Sequence, residues 1–355
     1  MKISILTFHN ANNYGALLQC YALSKVLKEK GHTVELLNFI PSKKAAGASI
    51  KSIIKRVIFI RRLNNFRKEE LPAVTIKYSS LNDLLEKPPK ADLFIVGSDQ
   101  VWNYDITSKH SEIFFFNFLR NETPRMAYAA SFGLEKWEVG SKREEIQSYL
   151  KKFISIGVRE IEGGKILKEQ LNSNSHLVLD PTLLLNDYTN LLKSNTGVKD
   201  AVVGFKFEKG KEWYDCIKYV ASQYGVKALS LNENKKINGI QSVRMPSVKN
   251  WLSHLNKASF IITDSYHCML FSIILKKQFI ALPANPKRIS RMRSILKILN
   301  LDNRYYNSIN DIYLDEHWKE EIDYNKVHLK LNELRKESLL FLNSSIGIAK
   351  SENSK

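Results

Sequence analysis

The chain has 355 residues, 44% of them hydrophobic and 25% charged, which is typical of a soluble globular protein long enough for two domains. It has no signal-peptide core, no apolar run that could cross a bilayer and no CxxC spacing among its three cysteines, so we expect a cytoplasmic protein without disulfides. The formal net charge of +18 favours an anionic partner such as nucleic acid, anionic lipid or a phosphorylated substrate, although a lysine-rich genome would give the same excess.

Strand patterns alternate with amphipathic helix patterns along the whole chain. The first half predicts ISILTF (strand), LLQCYALSKVLKEKG (helix), HTVELLNF, ADLFIVGSDQ, RMAYAASFG and FISIGVRE (strands), EGGKILKEQL (helix) and HLVLDPTLLL (strand). After a polar stretch at 186–200 the second half predicts AVVGFKF (strand), EWYDCIKYVASQYG (helix), VKALSLN (strand), SVKNWLSHLNKA (helix), SFIITDS (strand), YHCMLFSIILKK (helix), QFIAL (strand) and PKRISRMRSILKILN (helix).

This alternation predicts parallel sheets covered by helices on both faces. We therefore expect an α/β protein with two Rossmann-like lobes and a cleft between them. The N-terminal lobe is expected over 1–185 and the C-terminal lobe over 186–320. A helix from about Asn325 to Phe341, packed over the first lobe, and a loose tail are expected within 321–355.

One segment, Ile50–Lys68, departs from the alternation. It combines isoleucines with seven basic residues and no acidic residue. A basic amphipathic helix of this kind suits the surface of an anionic membrane. A helix that packs by its apolar side and exposes its cationic side explains the same pattern, and both interpretations remain open.

Four polar turns follow predicted strands, and the carboxyl ends of parallel strands share one edge of a sheet. The turns are Asn12-Asn13-Tyr14-Gly15, Gly97-Ser98-Asp99-Gln100, Gly157-Val158-Arg159-Glu160 and Asp264-Ser265-Tyr266-His267. At the first turn, Gly15 would allow close approach of a ligand to the backbone, or the turn simply caps a helix. Because the chain has neither GxGxxG nor a Walker P-loop, a nicotinamide or ATP site lacks support.

Several side chains at these turns have two possible roles. His267 lies in the first turn of a predicted helix, where it would move a proton on a bound anion or merely pack beside the Ser265 cap. Arg159 would bind a carboxylate or phosphate, or form a salt bridge with Glu160 or Glu162. Asp99 is a candidate base or an Asx-turn residue, and Asp180 is expected to cap. Since HExxH and GxSxG are absent, neither a dedicated metal site nor a hydrolase triad is expected.

Taken in order, six blocks resemble the polysaccharide pyruvyl transferase family. The blocks are NNYGALLQCYAL, DLFIVGSDQVWN, MAYAASFG, ISIGVRE, VLDPTLLL and TDSYHCMLFSIILKK, within about Met1 to Ala281. Two departures from the family pattern leave every charged group in place. Cys268 stands where a glycine commonly follows the histidine, and ISIGVRE lacks the more usual serine before Val-Arg.

The resemblance implies a two-lobed fold like that of GT-B glycosyltransferases. It also implies transfer of a pyruvyl (1-carboxyethylidene) group from phosphoenolpyruvate onto two sugar hydroxyls as a cyclic ketal. The implied acceptor is a cell-surface polysaccharide or its lipid-linked precursor, which suits a cytoplasmic enzyme at the inner face of the membrane. No cofactor is implied besides phosphoenolpyruvate as co-substrate. The matching blocks place Arg159 and His267 in the donor site, with Tyr266 adjacent.

We therefore expect Arg159 and the amides near Ser265 to converge on the donor anions, and His267 to donate or relay a proton. Asp99 is the candidate for orienting or deprotonating the acceptor hydroxyl. A lipid diphosphate-linked acceptor is expected to meet either the basic segment Ile50–Lys68 or the basic cluster of Lys287, Arg288, Arg291 and Arg293. The remaining expected substrate contacts are Asn13, Tyr14, Gly15, Ser98 and Tyr266.

Two other functions remain open at this stage. A GT-B-type glycosyltransferase that uses a nucleotide sugar would share the two lobes. A non-catalytic protein that binds a polyanion or a membrane would need only the charge, and its binding would fall steeply with salt. Nucleic-acid binding is not expected, because the sequence has no basic-aromatic motif or helix-turn-helix pattern.

Overall fold

The computed structural model describes residues 1–41, 50–137, 140–193, 197–284 and 289–354, without the side chains of 50–56 and 141. The strands are β1 (Lys2–Leu6), β2 (Thr33–Leu36), β3 (Leu93–Asp99), β4 (Arg125–Ala130), β5 (Ser155–Val158), β6 (His176–Leu177), β7 (Ala201–Phe205), β8 (Lys227–Leu231), β9 (Gln241–Val243), β10 (Phe260–Thr263) and β11 (Gln278–Ala281). The helices are α1 (Tyr14–Glu29), α2 (Ile50–Glu70), α3 (Leu81–Glu86), α4 (Tyr104–Thr107), α5 (Arg143–Leu150), α6 (Ile161–Leu171), α7 (Lys211–Gln223), α8 (Val248–Lys257), α9 (Tyr266–Ile274), α10 (Ser290–Ile298), α11 (Ile309–Leu314) and α12 (Tyr324–Glu352).

The chain divides into two compact units. The first contains Met1–Gly47, Glu70–Leu185 and Leu331–Lys355, and the second contains Ala48–Glu69 and Asn186–Lys330. Each unit has its own parallel sheet, so the predicted α/β class with two parallel sheets is confirmed. Among the described residues, no helix combines the length and apolar character needed to cross a membrane.

The sheet of the first unit has six strands in the order β2-β1-β3-β4-β5-β6. Its central strands are mostly apolar because helices and loops cover both faces, and every residue of β4 is buried. A Cβ atom at Gly97 would lie 2.5 Å from the carbonyl oxygen of Tyr128 on the neighbouring strand, so β3 requires a glycine here. Aromatic side chains complete this core, including Trp102 stacked on Phe115 with ring centroids 5.2 Å apart.

The sheet of the second unit has five strands in the order β11-β10-β7-β8-β9. Phe260 and Ile262 of β10 pack in a core with Trp213 and Ile217 of α7. The short strand β9 lies at the edge of this sheet and was not predicted, because its sequence QSV has no extended apolar run.

The C-terminal helix α12 is longer than the sequence suggested. It continues past Phe341 to Glu352, where a loose tail was expected. The apolar spacing persists beyond Phe341, since Leu342, Ile346 and Ala349 are all buried. Within the first unit, Ser338 Oγ accepts a 2.9 Å hydrogen bond from the backbone N–H of Leu179, next to β6.

The basic segment forms α2, and the residues of this helix up to Glu69 belong to the second unit. Leu63 and Phe66 are buried, whereas Val57 and Ile58 are 56% and 50% exposed. Arg62 donates hydrogen bonds to the carbonyl oxygens of residues 244 and 245, at 3.1 and 2.5 Å. The described part of this helix therefore packs by one side and leaves apolar and cationic side chains accessible on another.

Candidate functional site

At the carboxyl edge of the first sheet, Arg159 is the centre of a buried ion-pair cluster. Its Nη1 lies 2.9 Å from Asp180 Oδ2, its Nη2 lies 3.3 Å from Asp99 Oδ1, and its Nε lies 3.5 Å from Glu160 Oε2. The side chains of Arg159, Glu160 and Asp180 have no exposed area, and that of Asp99 is 15% exposed. The salt bridge considered for Arg159 is therefore present, with Glu160 as one of three carboxylate partners.

Asp180 connects this cluster to two chain segments. Its Oδ1 accepts hydrogen bonds from the backbone N–H and the hydroxyl of Thr182, at 3.0 and 2.7 Å. Its Oδ2 accepts a 3.2 Å hydrogen bond from the hydroxyl of Ser98. The expected capping role is confirmed, because Pro181 ends the extended segment and a short 3-10 helix, Pro181–Leu183, begins there. The ion pair with Arg159 was not foreseen, since a strand-end aspartate followed by proline already has a complete local explanation.

Asp99 has an unusual backbone conformation for a residue with a side chain. Its φ angle is +71°, in the left-handed region that favours glycine. Its Oδ1 accepts a 2.9 Å hydrogen bond from the backbone N–H of Gln100, as expected for a turn, and also contacts Arg159. Strained backbone that carries a partly exposed carboxylate is a common feature of functional sites.

The first predicted turn forms the N-terminus of α1. Asn13 is the N-cap, and its side chain accepts a 3.2 Å hydrogen bond from the backbone N–H of Ala16. Tyr14 and Gly15 are buried in the first turn of the helix, so the capping interpretation is confirmed. Whether these residues contact substrate stays a prediction.

The charge of this edge decides which ligand chemistry it suits. Among the described contacts, the cluster places three carboxylates around one guanidinium, and these four groups by themselves do not favour an anionic ligand. A carboxylate such as Asp99 suits the opposite task, which is to accept a hydrogen bond or a proton from a hydroxyl group. Direct binding of a donor anion by Arg159 stays a prediction, and its observed contacts support a role in holding Asp99.

The carboxyl edge of the second sheet contains a buried acid and a lysine. Asp264 is 3% exposed and accepts a 3.2 Å hydrogen bond from the backbone N–H of Phe207. Lys206 Nζ lies 3.4 Å from Asp264 Oδ2. Burial raises the pKa of Asp264, and the nearby Lys206 ammonium and Phe207 N–H partly offset this effect. The sequence did not single out Lys206, which lies directly after β7.

The helix that begins at this edge, α9, has the N-terminus that the sequence predicted. Ser265 is the N-cap, and its hydroxyl accepts a 3.4 Å hydrogen bond from the backbone N–H of Cys268. His267 is 7% exposed, and its ring packs edge-to-face against Tyr266 with centroids 5.2 Å apart. Arg291 lies over the Tyr266 ring at 5.4 Å. Arg288 and Lys287 lie outside the described residues.

A further polar group at this edge was missed by the sequence analysis. Lys209 Nζ donates to the carbonyl oxygens of Leu231 and Asn232, at 2.6 and 2.9 Å, and lies 3.7 Å from Glu233 Oε2. Burial lowers the pKa of Lys209. The hydroxyl of Tyr214 donates a 2.6 Å hydrogen bond to Glu233, and burial together with this bond raises the pKa of Tyr214 to about 12. No local sequence pattern indicates this group of residues, because they come from two loops and one helix.

The second edge therefore differs from the first in the charge it offers. The groups around α9 include Lys206, Arg291 and the backbone N–H groups of the helix N-terminus, which favour anions, and the Asp264 carboxylate, which offsets part of this charge. Among the described residues, no group of three or more His, Cys, Asp or Glu side chains could hold a metal ion.

The fold defines the class of protein. The chain is similar to UDP-GlcNAc 2-epimerase from Neisseria meningitidis, with a TM-score of 0.54 at 10% identity over 95% of this chain and 100% of that chain. It is also similar to S. aureus MnaA, with a TM-score of 0.53 at 13% identity over 94% and 91%. Arabidopsis thaliana UGT89C1 gives a TM-score of 0.54 at 11% identity over 99% of both chains. The protein thus has the fold of GT-B glycosyltransferases and UDP-GlcNAc 2-epimerases, and identities this low show the fold alone.

The family follows from the sequence model that matches residues 13–286, which describes polysaccharide pyruvyl transferases. The match covers more than half of the chain, so the protein belongs to the polysaccharide pyruvyl transferase family, as the resemblance predicted. No curated protein matches the chain.

Proposed function

We propose that the protein transfers a pyruvyl group from phosphoenolpyruvate onto two hydroxyls of a sugar and forms a cyclic ketal. The acceptor in this proposal is a cell-surface polysaccharide or its lipid-linked precursor. Family membership supports a transferase that modifies polysaccharides. The observation that carries the choice of donor is the cationic edge around the N-terminus of α9 in the second unit.

The donor has two anionic groups, a phosphate and a carboxylate, which both need positive partners. The N-terminal amides of α9 offer hydrogen bonds that the helix dipole strengthens, and Ser265 fixes the start of that helix. Arg291, which the sequence suggested for the acceptor, lies over Tyr266 and is assigned to the donor in this proposal, because its planar guanidinium binds phosphate or carboxylate through paired hydrogen bonds. Lys206 supplies a further charge, although Asp264 neutralises part of it.

The chemistry requires one proton donor and one proton acceptor. Protonation of the enol carbon converts the methylene group to a methyl group and leaves a cationic centre at the neighbouring carbon. A sugar hydroxyl attacks that centre and loses its proton to a base. Departure of phosphate leaves a second cationic centre, the second hydroxyl attacks it to close the ketal, and the proton of that hydroxyl passes to the departing phosphate. In our proposal His267 donates or relays the first proton, and the tyrosine packed on its ring fixes its orientation.

Asp99 is the proposed proton acceptor for the sugar hydroxyl. It is the only member of the Arg159 cluster reported above whose side chain has exposed area, at 15%. The charge of that cluster favours removal of a proton from a neutral hydroxyl over binding of an anion. Arg159 acts here as a positioning residue that holds Asp99 in its strained turn.

The test is incubation with phosphoenolpyruvate and candidate glycolipids. We expect release of inorganic phosphate together with an acceptor mass increase of one pyruvyl unit. His267→Gln should reduce the rate by roughly 10²–10⁴-fold, the usual contribution of a general acid. His317→Gln is the matched control in the same unit, because the His317 side chain is 68% exposed. Equal rates for wild type and His267→Gln would contradict the proposed proton transfer.

Thermal shift measurements separate the proposed donor from nucleotide sugars. A ligand that binds only the folded protein raises its stability by about 2.7 kcal/mol at a hundred times its dissociation constant. We expect stabilisation by phosphoenolpyruvate, and Arg291→Gln should weaken it. Stabilisation by a UDP-sugar and none by phosphoenolpyruvate would favour the glycosyltransferase alternative.

The proposal also includes work at the inner face of an anionic membrane, where a lipid-linked acceptor would lie. The exposed Val57 and Ile58 next to Arg61 on α2 support this location, together with the net charge of +18. Flotation with anionic liposomes should recover the wild type, and Arg61→Gln should reduce the recovered fraction. Failure of the wild type to float would contradict the membrane location without affecting the donor proposal.

A further inference from the structure

His9 is a buried histidine that the proposed mechanism does not use. It follows β1 in the first unit and is 4% exposed. Its Nδ1 lies 3.2 Å from the carbonyl oxygen of Thr7, and its Nε2 lies 3.2 Å from Asn38 Oδ1. Both ring nitrogens therefore contact an oxygen atom.

Different arguments show that the two atoms next to the His9 ring, Thr7 O and Asn38 Oδ1, are both hydrogen-bond acceptors. The carbonyl oxygen of Thr7 can only accept a hydrogen bond. The amide of Asn38 can in principle be reversed, so its orientation must come from its other contacts. Asn38 Nδ2 lies 3.5 Å from the carbonyl oxygen of Thr75, so reversal would place oxygen against oxygen there. The contacts of Asn38 thus favour an oxygen next to His9.

A neutral imidazole has one N–H donor and one acceptor nitrogen, whereas the imidazolium form donates from both nitrogens. With an acceptor at each nitrogen, only the imidazolium satisfies both contacts at once. The two acceptors, Thr7 O and Asn38 Oδ1, are themselves uncharged.

The same contacts join His9 to the Arg159 cluster. The hydroxyl of Thr7 donates a 3.2 Å hydrogen bond to the carbonyl oxygen of Ser98, and the hydroxyl of Ser98 donates to Asp180. Gln19 of α1 donates a 2.9 Å hydrogen bond to the Thr7 hydroxyl and so fixes its direction. This chain of contacts runs along the carboxyl edge of the sheet, from β1 through β3 to the segment that follows β6.

We infer that His9 is held as an imidazolium at the β1 end of this edge and is a positioning residue for Asp99. The titratable groups of the Arg159 cluster described above are Asp99, Arg159, Glu160 and Asp180, so a cation at the β1 end of this edge offsets part of their carboxylate charge. His110 and Tyr78 are further titratable groups of this region. The ring of His110 lies 5.5 Å from that of Phe39, the residue after Asn38, and the backbone N–H of Tyr78 donates a 2.9 Å hydrogen bond to the carbonyl oxygen of Asn38. The assignment of a catalytic consequence rests on the proposed function, whereas the charge of His9 does not.

The charge of His9 is tested by nitrogen NMR of histidine-labelled protein, with His9→Gln used to assign the resonance. We expect both ring nitrogens of His9 to remain protonated at neutral pH. A neutral His9 with one protonated nitrogen at that pH would overturn the inference.

Two variants of Asn38 test whether its contact with His9 determines the pH at which His9 loses its proton. Asn38→Asp places a carboxylate against Nε2 and should raise the pH at which His9 loses its proton. Asn38→Leu removes the acceptor and should lower that pH. If the His9 titration is the same in both variants as in the wild type, its environment does not act through Asn38 and the inference is wrong.

The positioning role is tested by separate measurement of donor binding and turnover. His9→Gln should lower kcat for pyruvyl transfer by about tenfold, because small misplacements of reacting groups are costly. The dissociation constant of phosphoenolpyruvate should stay unchanged, since its proposed site is in the other unit. His176→Gln, an exposed histidine of the same unit, is the control and should match the wild type. Wild-type kcat for His9→Gln would overturn the positioning role while the proposed function stands. If no variant and no wild type transfers pyruvyl groups, the NMR result still decides the charge of His9.

Discussion

Replacement of Arg159 by methionine tests whether its contacts with carboxylates are structural. Methionine keeps much of the aliphatic volume but removes the charge from a cluster in which Asp180 and Glu160 have no exposed side-chain area. Removal of one partner from a buried ion pair leaves an uncompensated charge, which is strongly destabilising. If Arg159 instead served mainly to bind a ligand, its loss would cost the ligand-free protein little.

The size of the stability loss depends on the contacts that each carboxylate keeps when Arg159 is replaced. Asp180 keeps its hydrogen bonds from Ser98 and Thr182, Glu160 keeps a 3.4 Å hydrogen bond from the backbone N–H of Gly133, and Asp99 can be rehydrated because it is partly exposed. The loss should therefore lie at the lower end of the range for broken buried pairs, about 3 kcal/mol. At 1.4 kcal/mol per factor of ten, this raises the unfolded-to-folded ratio by roughly a hundredfold.

The assay is urea unfolding, followed by hydrogen exchange to locate the loss in the first unit. Arg143→Met is the matched control, since Arg143 is an exposed residue on α5 of the same unit and should change stability by less than about 0.5 kcal/mol. Arg159→Lys should fall between the two, because an ammonium cannot reproduce the forked contacts of the guanidinium. Equal unfolding midpoints for Arg159→Met and Arg143→Met would refute the structural role.

Two further substitutions probe packing and ionisation. Gly157→Ala should destabilise the first unit by about 1–3 kcal/mol, because the added Cβ would lie 2.8 Å from Phe341 Cε1. Urea unfolding should show that part of the lost stability returns in the double variant with Phe341→Leu, which removes this contact. Asp264→Asn should flatten the dependence of stability on pH. The raised pKa of Asp264 means that the folded state binds its proton more tightly, so wild-type stability relative to the variant should fall as pH rises above the ordinary value of 3.8. Parallel stability curves for wild type and variant in a urea series across acidic to neutral pH would exclude this effect.

Hydrophobic patterning predicted most strands and helices of both sheets, because buried parallel strands are short apolar runs and their covering helices are amphipathic. The elements that were missed, or predicted with the wrong bounds, lie where that hydrophobic pattern is weak. Only His176–Leu177 of the predicted strand HLVLDPTLLL pairs in the sheet, since Pro181 starts a 3-10 helix soon after. Helix α5 was missed, because its two buried residues, Ile146 and Leu150, lie among charged neighbours.

Candidate site residues were easier to locate than to assign. The rule that strand ends share one sheet edge correctly brought Ser98, Asp99 and Arg159 together. It could not determine that Arg159 contacts Asp180, because that pairing depends on register and side-chain direction in a strand of two residues. His9 was not singled out either, since a lone histidine after a strand carries no local pattern, and its significance lies in the contact with Asn38 from a different strand end.

The contrast in charge between the two sheet edges leads to a prediction about which step each edge controls. A dianion needs positive partners, whereas a hydroxyl that must lose its proton needs a carboxylate. Arg291→Gln in the second unit should therefore raise the dissociation constant of phosphoenolpyruvate several-fold. Asp99→Asn in the first unit should leave that constant unchanged and lower kcat by roughly 10²–10⁴-fold. Calorimetry with the donor and initial-rate measurements separate the two effects. If Asp99→Asn weakens donor binding as much as Arg291→Gln does, the carboxylate edge takes part in anion binding, and an assignment of ligands by the sign of the local charge fails for this protein.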